Sequence, residues 1–307
     1  MRRGLHPRHP ESLSWFEASA RQRIAALVDT DSFAEELGPE QRETSPHLGG
    51  FDLPVQFDDG IVVGQATLGG RPVLIAAQEG RFMGGSIGEV HGAKLTGLLR
   101  AASTLRRNTV ILFDTGGVRL QEANAGEVAV AEILRALVAA RLAGARVIGL
   151  IGGSAGCFGG GSLIAACCSS LVVSEQARIG VSGPTVIESC GGVEEFDSMD
   201  RALVWRTMGG KHRYLIGGAD HFALDTAGSF RAATLGALEQ SSQLTLTTLR
   251  REQVRLETRL AALGSFSDAP AIWAALGIAN ASEMPELPMA EFELLASAHR
   301  VSADDAR

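Results

Sequence analysis

Residues 147–174 read VIGLIGGSAGCFGGGSLIAACCSSLVVS, a run of 28 residues with no formal charge. By length alone it would cross a bilayer, which takes about 20 mainly apolar residues. Its composition argues the other way. Seven glycines and five serines cluster as GGSAG and GGGS between two β-branched runs. The pattern predicts a buried strand at 146–151, a glycine loop, a buried helix at about 158–168 and a second strand at 171–174. A globular core, with no membrane span, is the expectation.

Working outward, the same unit recurs upstream. A strand at 73–77 is followed by QEGRFMGGSIGE and a helix to about 105. A strand at 110–113 is followed by DTGGVRLQEANAGE and a helix to about 142. Three times a buried strand ends in a glycine doublet that opens a helix. Such a corner exposes backbone N–H groups and suits an anion or a developing oxyanion. Before the first unit, β-rich runs at 60–68 and 71–77 are joined by Gly69-Gly70, a hairpin signal because a type I′ turn needs positive φ at both central residues.

At the ends the reading is coarser. Residues 1–10 predict a loose tail, 14–37 carry apolar residues at helical spacing, and 38–54 form a Pro- and Gly-punctuated connection. Beyond 171 come short strand-like pieces, a loop at 188–198, a helix at about 199–208 and two helices within 225–263. The final stretch, with Pro285 and Pro288, predicts a partly ordered tail. No linker stands out. The expected organisation is an N-terminal tail and helix at 1–50, a core at 51–225 and a helical extension at 226–307.

Composition narrows the function classes. The 307 residues are 45% hydrophobic and 21% charged, which excludes a disordered chain. Glycine, at 37 residues, makes up about 12% of the chain against a usual roughly 7%, and it falls in doublets and triplets. A net charge of −7 argues against nucleic acid as a partner. Cys157, Cys167, Cys168 and Cys190 form neither a disulfide framework nor a Cys-x-x-Cys zinc pair, so no metal site is expected. The start, MRRGLHPRHPESLSW, lacks the apolar stretch of a signal peptide, and a cytoplasmic location is the default expectation.

The chemistry-bearing candidates lie at the corners. Gly116 and Gly117, in Asp114-Thr115-Gly116-Gly117-Val118-Arg119, serve either a tight turn or the approach of a substrate carbonyl to main-chain donors. Gly152-Gly153-Ser154-Ala155-Gly156-Cys157 offers a second donor at Gly156–Cys157, or close packing of helix on strand. It also fits a G-x-S-x-G nucleophile elbow centred on Ser154, with Asp197, His212 and His221 following in chain order. His91, in the helix opened by Gly84-Gly85, is the candidate proton donor, and Arg119 and Glu122 are the charged candidates beside the second corner. P-loop and G-x-G-x-x-G patterns are absent.

FDTGGVRLQEANAGE, then GGSAGCFGGG, then ARIGVSGPTVIE together resemble the carboxyltransferase branch of the crotonase superfamily. Within it the chain is most similar to malonate decarboxylase β subunits, through SPHLGGFDLPVQFDDG, QEGRFMGGSIGEVHGAKL and GGVEEFDSMDRALVWRTMGGKHRY. The four-cysteine zinc ribbon of bacterial acetyl-CoA carboxylase β subunits is missing, which favours this placement. The resemblance implies an α/β crotonase-like ββα superhelix and a paralogous γ subunit as partner. It also implies a malonyl thioester on the phosphopantetheine-type arm of an acyl carrier protein, with no cofactor bound by this chain. On that reading Gly116, Gly117, Gly156, Cys157 and His91 are catalytic, and Gly84, Gly85, Arg119, Gly153 and Ser154 bind substrate. Two other outcomes stay open: carboxyl transfer to biotin on a partner protein, and a passive scaffold role.

Overall fold

In the computed structural model, which describes residues 12–240 and 243–301, the recurring strand–corner–helix unit builds a seven-stranded sheet. Its strands are β1 (Ala34–Glu36), β2 (Ile61–Leu68), β3 (Arg71–Gln78), β4 (Thr109–Phe113), β5 (Val147–Ile151), β7 (Ser170–Ser174) and β9 (His221–Ala223), in that spatial order. The pairs β1–β2 and β2–β3 are antiparallel and all later pairs are parallel. Two short strands, β6 (Cys157–Phe158) and β8 (Ile179–Gly180), pair parallel apart from the main sheet.

The middle strands are buried on both faces, which is why their sequences are continuous apolar runs. Ile111, Phe113, Val147 and Ile151 face a core shared with α2 (Glu89–Leu105) and α3 (Asn124–Leu142). Val110, Leu112, Ile148 and Leu150 face the opposite core, closed by α1 (Ala20–Leu27) and by a helix at 227–239. Gly149 is required in β5: a Cβ there would lie 2.6 Å from Leu171 Cδ2 and 3.0 Å from Phe113 Cε2. The third corner leads into α4 (Gly160–Ala166).

After β7 come α5 (Pro184–Gly191), α6 (Arg201–Met208), α7 (Gly210–Leu215), α8 (Ala227–Glu239), α9 (Leu246–Leu263), α10 (Ala269–Ala275) and α11 (Met289–His299). Among the described residues, no helix is long and apolar enough to cross a membrane. The charge-free run at 147–174 is β5, β6, α4 and β7, as its glycines require.

The predicted hairpin is present, with Gly69 and Gly70 at φ +59° and +73°. Four sequence expectations need correction. The 14–37 pattern yields only α1, entered through a Ser19/Gln22 capping box. The chain then turns away, because Asp29 accepts hydrogen bonds from the turn amides of Gly69 (2.9 Å) and Gly70 (2.8 Å), and Ala34–Glu36 becomes the edge strand. The helix expected at about 158–168 starts at Gly160, since Cys157 and Phe158 pair with β8. The loop expected at 188–198 starts only after Gly191, because Pro184 opens α5 from the first helical turn, where its missing N–H costs nothing.

The fourth is the C-terminal stretch. Residues 269–301 are ordered around a core of Leu215, Trp273, Ile278, Met284, Phe292 and Ala296. The tail expected at 1–10 lies outside the described residues.

Two histidines make the fold pH-sensitive. Burial holds His91 and His212 down to about 3, so both stay neutral in the native chain at pH 5. Unfolded histidines protonate below about 6.5. Stability carried by this difference is full above pH 6.5 and is lost as pH falls towards 3, by about 1.4 kcal/mol per unit per histidine. Thermal melts from pH 7 to pH 5 are therefore expected to fall more steeply for the native chain than for His91→Gln. Equal slopes would contradict the assignment.

Candidate active site

The three glycine corners meet. Gly116 N–H donates to Gly84 O (2.7 Å), tying the second corner to the first. Thr115 N–H donates to Gly156 O (2.8 Å) and Phe158 N–H to Thr115 O (2.9 Å), tying the second to the third. The approach is close enough to exclude side chains. A Cβ on Gly85 would lie 1.8 Å from Asp114 O, and one on Gly153 would lie 2.3 Å from Asp114 Cγ.

Asp114 organises this junction, a role that sequence reading missed. One carboxylate oxygen accepts the Ala155 N–H (2.7 Å) and the other pairs with Arg23 of α1 at 2.8 Å, both side chains being buried. Burial pushes the Asp114 carboxyl up, against the pull of Arg23 and the Ala155 amide. Its own N–H donates to the side-chain oxygen of Gln78 (3.1 Å). The available signal was its position, an acid directly after a wholly apolar strand.

The amides singled out from sequence are all engaged within the chain. Gly116 donates to Gly84 O, Gly117 to Thr115 Oγ1 (3.1 Å), Gly156 to Gly153 O (3.1 Å) and Cys157 to Arg178 O (2.8 Å). As donors to a substrate, Gly116, Gly117, Gly156 and Cys157 are therefore corrected: the loops that bring them together also satisfy them. Burial raises the Cys157 thiol well above its ordinary range, so its side chain is an inert packing group.

Neighbouring amides are unpaired. Among the described residues, the N–H groups of Val118, Gly160 and Gly161 have no acceptor within the chain, whereas the Gly159 N–H faces Gly180 in the parallel β6–β8 pair. Gly117 (φ +125°) and Gly159 (φ +55°) face each other across the junction. A Cβ on Gly117 would lie 3.6 Å from Gly159 Cα and 3.9 Å from Gly159 N; one on Gly159 would lie 3.2 Å from Gly117 Cα and 3.9 Å from Val118 N. The unpaired Val118 amide thus lies beside a gap lined by Gly117 and Gly159, while the Gly159 amide belongs to the β6–β8 pair. The next two glycines are packing residues: a Cβ on Gly160 would lie 2.5 Å from Val130 Cγ2, and one on Gly161 2.3 Å from Thr115 Cγ2.

The charged candidates fall elsewhere. Arg119 is wholly buried: Nη1 reaches Asp59 Oδ1 (2.8 Å) and Glu122 Oε1 (2.8 Å), and Nη2 reaches Ser86 O (3.1 Å) and Asp59 O (3.3 Å). Glu122 also accepts from Ser45 Oγ (2.6 Å) and the Glu89 N–H. Burial works to raise the Glu122 carboxyl, but the hydrogen bonds from Ser45, Glu89 and Arg119 outweigh it and leave it lowered. Arg119 and Glu122 form a clamp that fixes the second corner, which corrects Arg119 as a substrate ligand.

His91 is corrected as well. It is fully buried against Gln78, whose side-chain nitrogen lies 3.1 Å from Nε2, and burial holds it neutral at ordinary pH. It has neither the proton nor the access of a general acid.

No triad assembles around Ser154. His212 Nδ1 accepts from Trp273 Nε1 (3.1 Å) inside the C-terminal core, His221 lies in β9, and Asp197 accepts the Met199 N–H (2.8 Å). Ser154 is exposed, and its carbonyl accepts from Arg178. The nucleophile-elbow glycines serve the junction with Asp114 instead. Among the described residues no group of three or more His, Cys, Asp or Glu side chains is gathered to hold a metal ion.

Comparison with known proteins fits this architecture. The model of the carboxyl transferase domain family matches residues 17–223. The chain is 39% identical over 312 residues to a malonyl-S-ACP:biotin-protein carboxyltransferase of Malonomonas rubra, covering 94% of this chain and 97% of that one. Its fold is similar to a chain of a Pseudomonas malonate decarboxylase hetero-tetramer crystallised with malonate, with a TM-score of 0.79, 39% identity, and coverage of 86% of this chain and 97% of the other. A chain of the Pseudomonas MdcD–MdcE hetero-dimer matches with a TM-score of 0.64 and 35% identity, over 80% of this chain and 96% of that one.

Proposed function

We propose, from the premise that this chain belongs to the carboxyl transferase domain family and has the crotonase fold of malonate decarboxylase subunits, that it cleaves the carboxyl group from a malonyl thioester held on an acyl carrier protein. The observation that supports this reading is the set of unsatisfied amides, Val118 on one loop and Gly160 and Gly161 at the start of α4 on the other, beside a narrow gap lined by Gly117 and Gly159.

Breaking the carbon–carbon bond of a malonyl thioester leaves an enolate whose negative charge rests largely on the thioester oxygen. Donors already in place at that oxygen stabilise the charge as it forms more than they stabilise the neutral carbonyl. One such donor is worth about 2.7–4 kcal/mol in other enzymes. The network around Asp114 and Arg119 keeps both loops fixed, so no reorganisation accompanies the reaction. Released CO2 leaves, and the enolate carbon takes a proton to give the acetyl thioester. His91, neutral and enclosed, is not the acid; the proton comes from water or from a partner subunit. The phosphopantetheine-type arm belongs to the carrier and delivers the thioester to the gap. We take the partner across this site to be a paralogous γ subunit; the two Pseudomonas relatives are a hetero-tetramer and a hetero-dimer.

A second reading is favoured by the Malonomonas rubra relative, whose name makes biotin the acceptor of the carboxyl group. Both reactions pass through the same enolate. Avidin separates them: CO2 release from malonyl-carrier protein by the complete complex is expected to be unchanged by excess avidin. Loss of turnover with avidin would move the assignment to carboxyl transfer.

A further inference from the structure

Helix α9 is an 18-residue helix with no buried residue. Its apolar side chains are not scattered. Leu246, Leu249, Leu256, Leu260 and Leu263, with Gln253, alternate at three- and four-residue steps, the spacing of a coiled-coil seam. Four of these leucines are exposed, by 64% at Leu246, 51% at Leu249, 38% at Leu256 and 71% at Leu260. The helix rests on the body through a different side, where Arg255 Nη1 donates to Gly217 O (3.2 Å) and Arg259 Nη1 to Ile216 O (3.3 Å). The leucine seam is left facing outward.

We propose that this seam pairs with α9 of a second copy of the chain, in antiparallel orientation, about a two-fold axis between residues 254 and 255. The spacing is self-complementary under that operation. Leu246 meets Leu263 of the other copy, Leu249 meets Leu260, and Gln253 meets Leu256, each contact occurring twice. A single polar residue in the central layer fixes the register.

The charges beside the seam agree. Arg250 comes beside Glu257 of the other copy, again twice. Arg250 has no ion-pair partner among the described residues, while Glu257 is bonded to Gln253 (2.7 Å). A parallel pairing in register would instead set Glu252 beside Glu257 of the second copy, a like-charge contact. Short isolated coiled coils are marginal because the helices must form as they pair. Here each helix is already folded on its own body, so pairing carries no helix-forming cost.

Native mass spectrometry of the complete complex tests the pairing. Particles are expected to contain two copies of this chain. Arg250→Glu alone places like charges across the seam and is expected to halve the particle mass at the same concentration, as is Glu257→Arg alone. The double reversal, Arg250→Glu with Glu257→Arg, restores opposite charges and is expected to restore the mass. One copy per particle in the native complex, or a mass insensitive to these changes, would overturn the proposal. So would a double reversal that stays at half mass, which would mean that a different chain covers the seam.

Discussion

Gly117→Val is expected to reduce CO2 release by at least about a hundredfold in kcat while the subunit still assembles into its complex. Two effects combine. Gly117 has a φ of +125°, which a β-branched residue does not adopt without strain. Its Cβ would also point across the gap, 3.6 Å from Gly159 Cα and 3.9 Å from Gly159 N, into the space reserved for the thioester oxygen. A hundredfold loss corresponds to about 2.7 kcal/mol, the lower end of the effect of deleting one oxyanion donor. Gly159→Val attacks the same gap from the other side and is expected to match it. Single-turnover decarboxylation, with the oligomer checked by gel filtration, measures both. Full turnover by either variant would contradict the site.

Arg119→Ala is expected to destabilise the chain by about 3–5 kcal/mol, because it leaves Asp59 and Glu122 as buried carboxylates facing each other without a cation. Burial already raises the Asp59 carboxyl even with the guanidinium present. For a domain of this size that loss lowers the melting temperature by about 10 °C. Arg119→Lys should rescue little, since one ammonium does not reproduce a guanidinium that spans Asp59, Glu122 and the Ser86 carbonyl. Thermal melts decide between clamp and ligand. A substrate-binding arginine would raise KM and leave the melting temperature unchanged.

Much of the fold was legible because its strands are buried on both faces and its turns demand glycine. TVILF, VIGLI and SLVVS admit few other readings, and Gly69-Gly70 marks its hairpin through positive φ alone. What was not legible depends on tertiary partners. Nothing local in 14–37 says that Asp29 will leave a helical pattern to cap the Gly69-Gly70 turn. Nothing in the last 40 residues announces that Trp273 and Phe292 will gather a separate core. The sequence marked the corners where the loops meet, and not which amides are left unpaired there. Glycine doublets mark where backbones approach, but the same approach lets loops bond each other, so the conspicuous glycines are consumed and the free amides belong to Val118 and to the first residues of α4. The charged candidates misled for a related reason: Arg119, Glu122 and His91 sit near the corner because they hold it.

The most direct measurement is a structure of the assembled complex bound to a malonyl thioester analogue that does not decarboxylate. The thioester oxygen is expected between the two loops, at about 2.7–3.1 Å from both the Val118 amide nitrogen and that of Gly160, the first residue of α4. An acyl group seated elsewhere, or an oxygen held by donors of another chain with both amides left unpaired, would contradict the account.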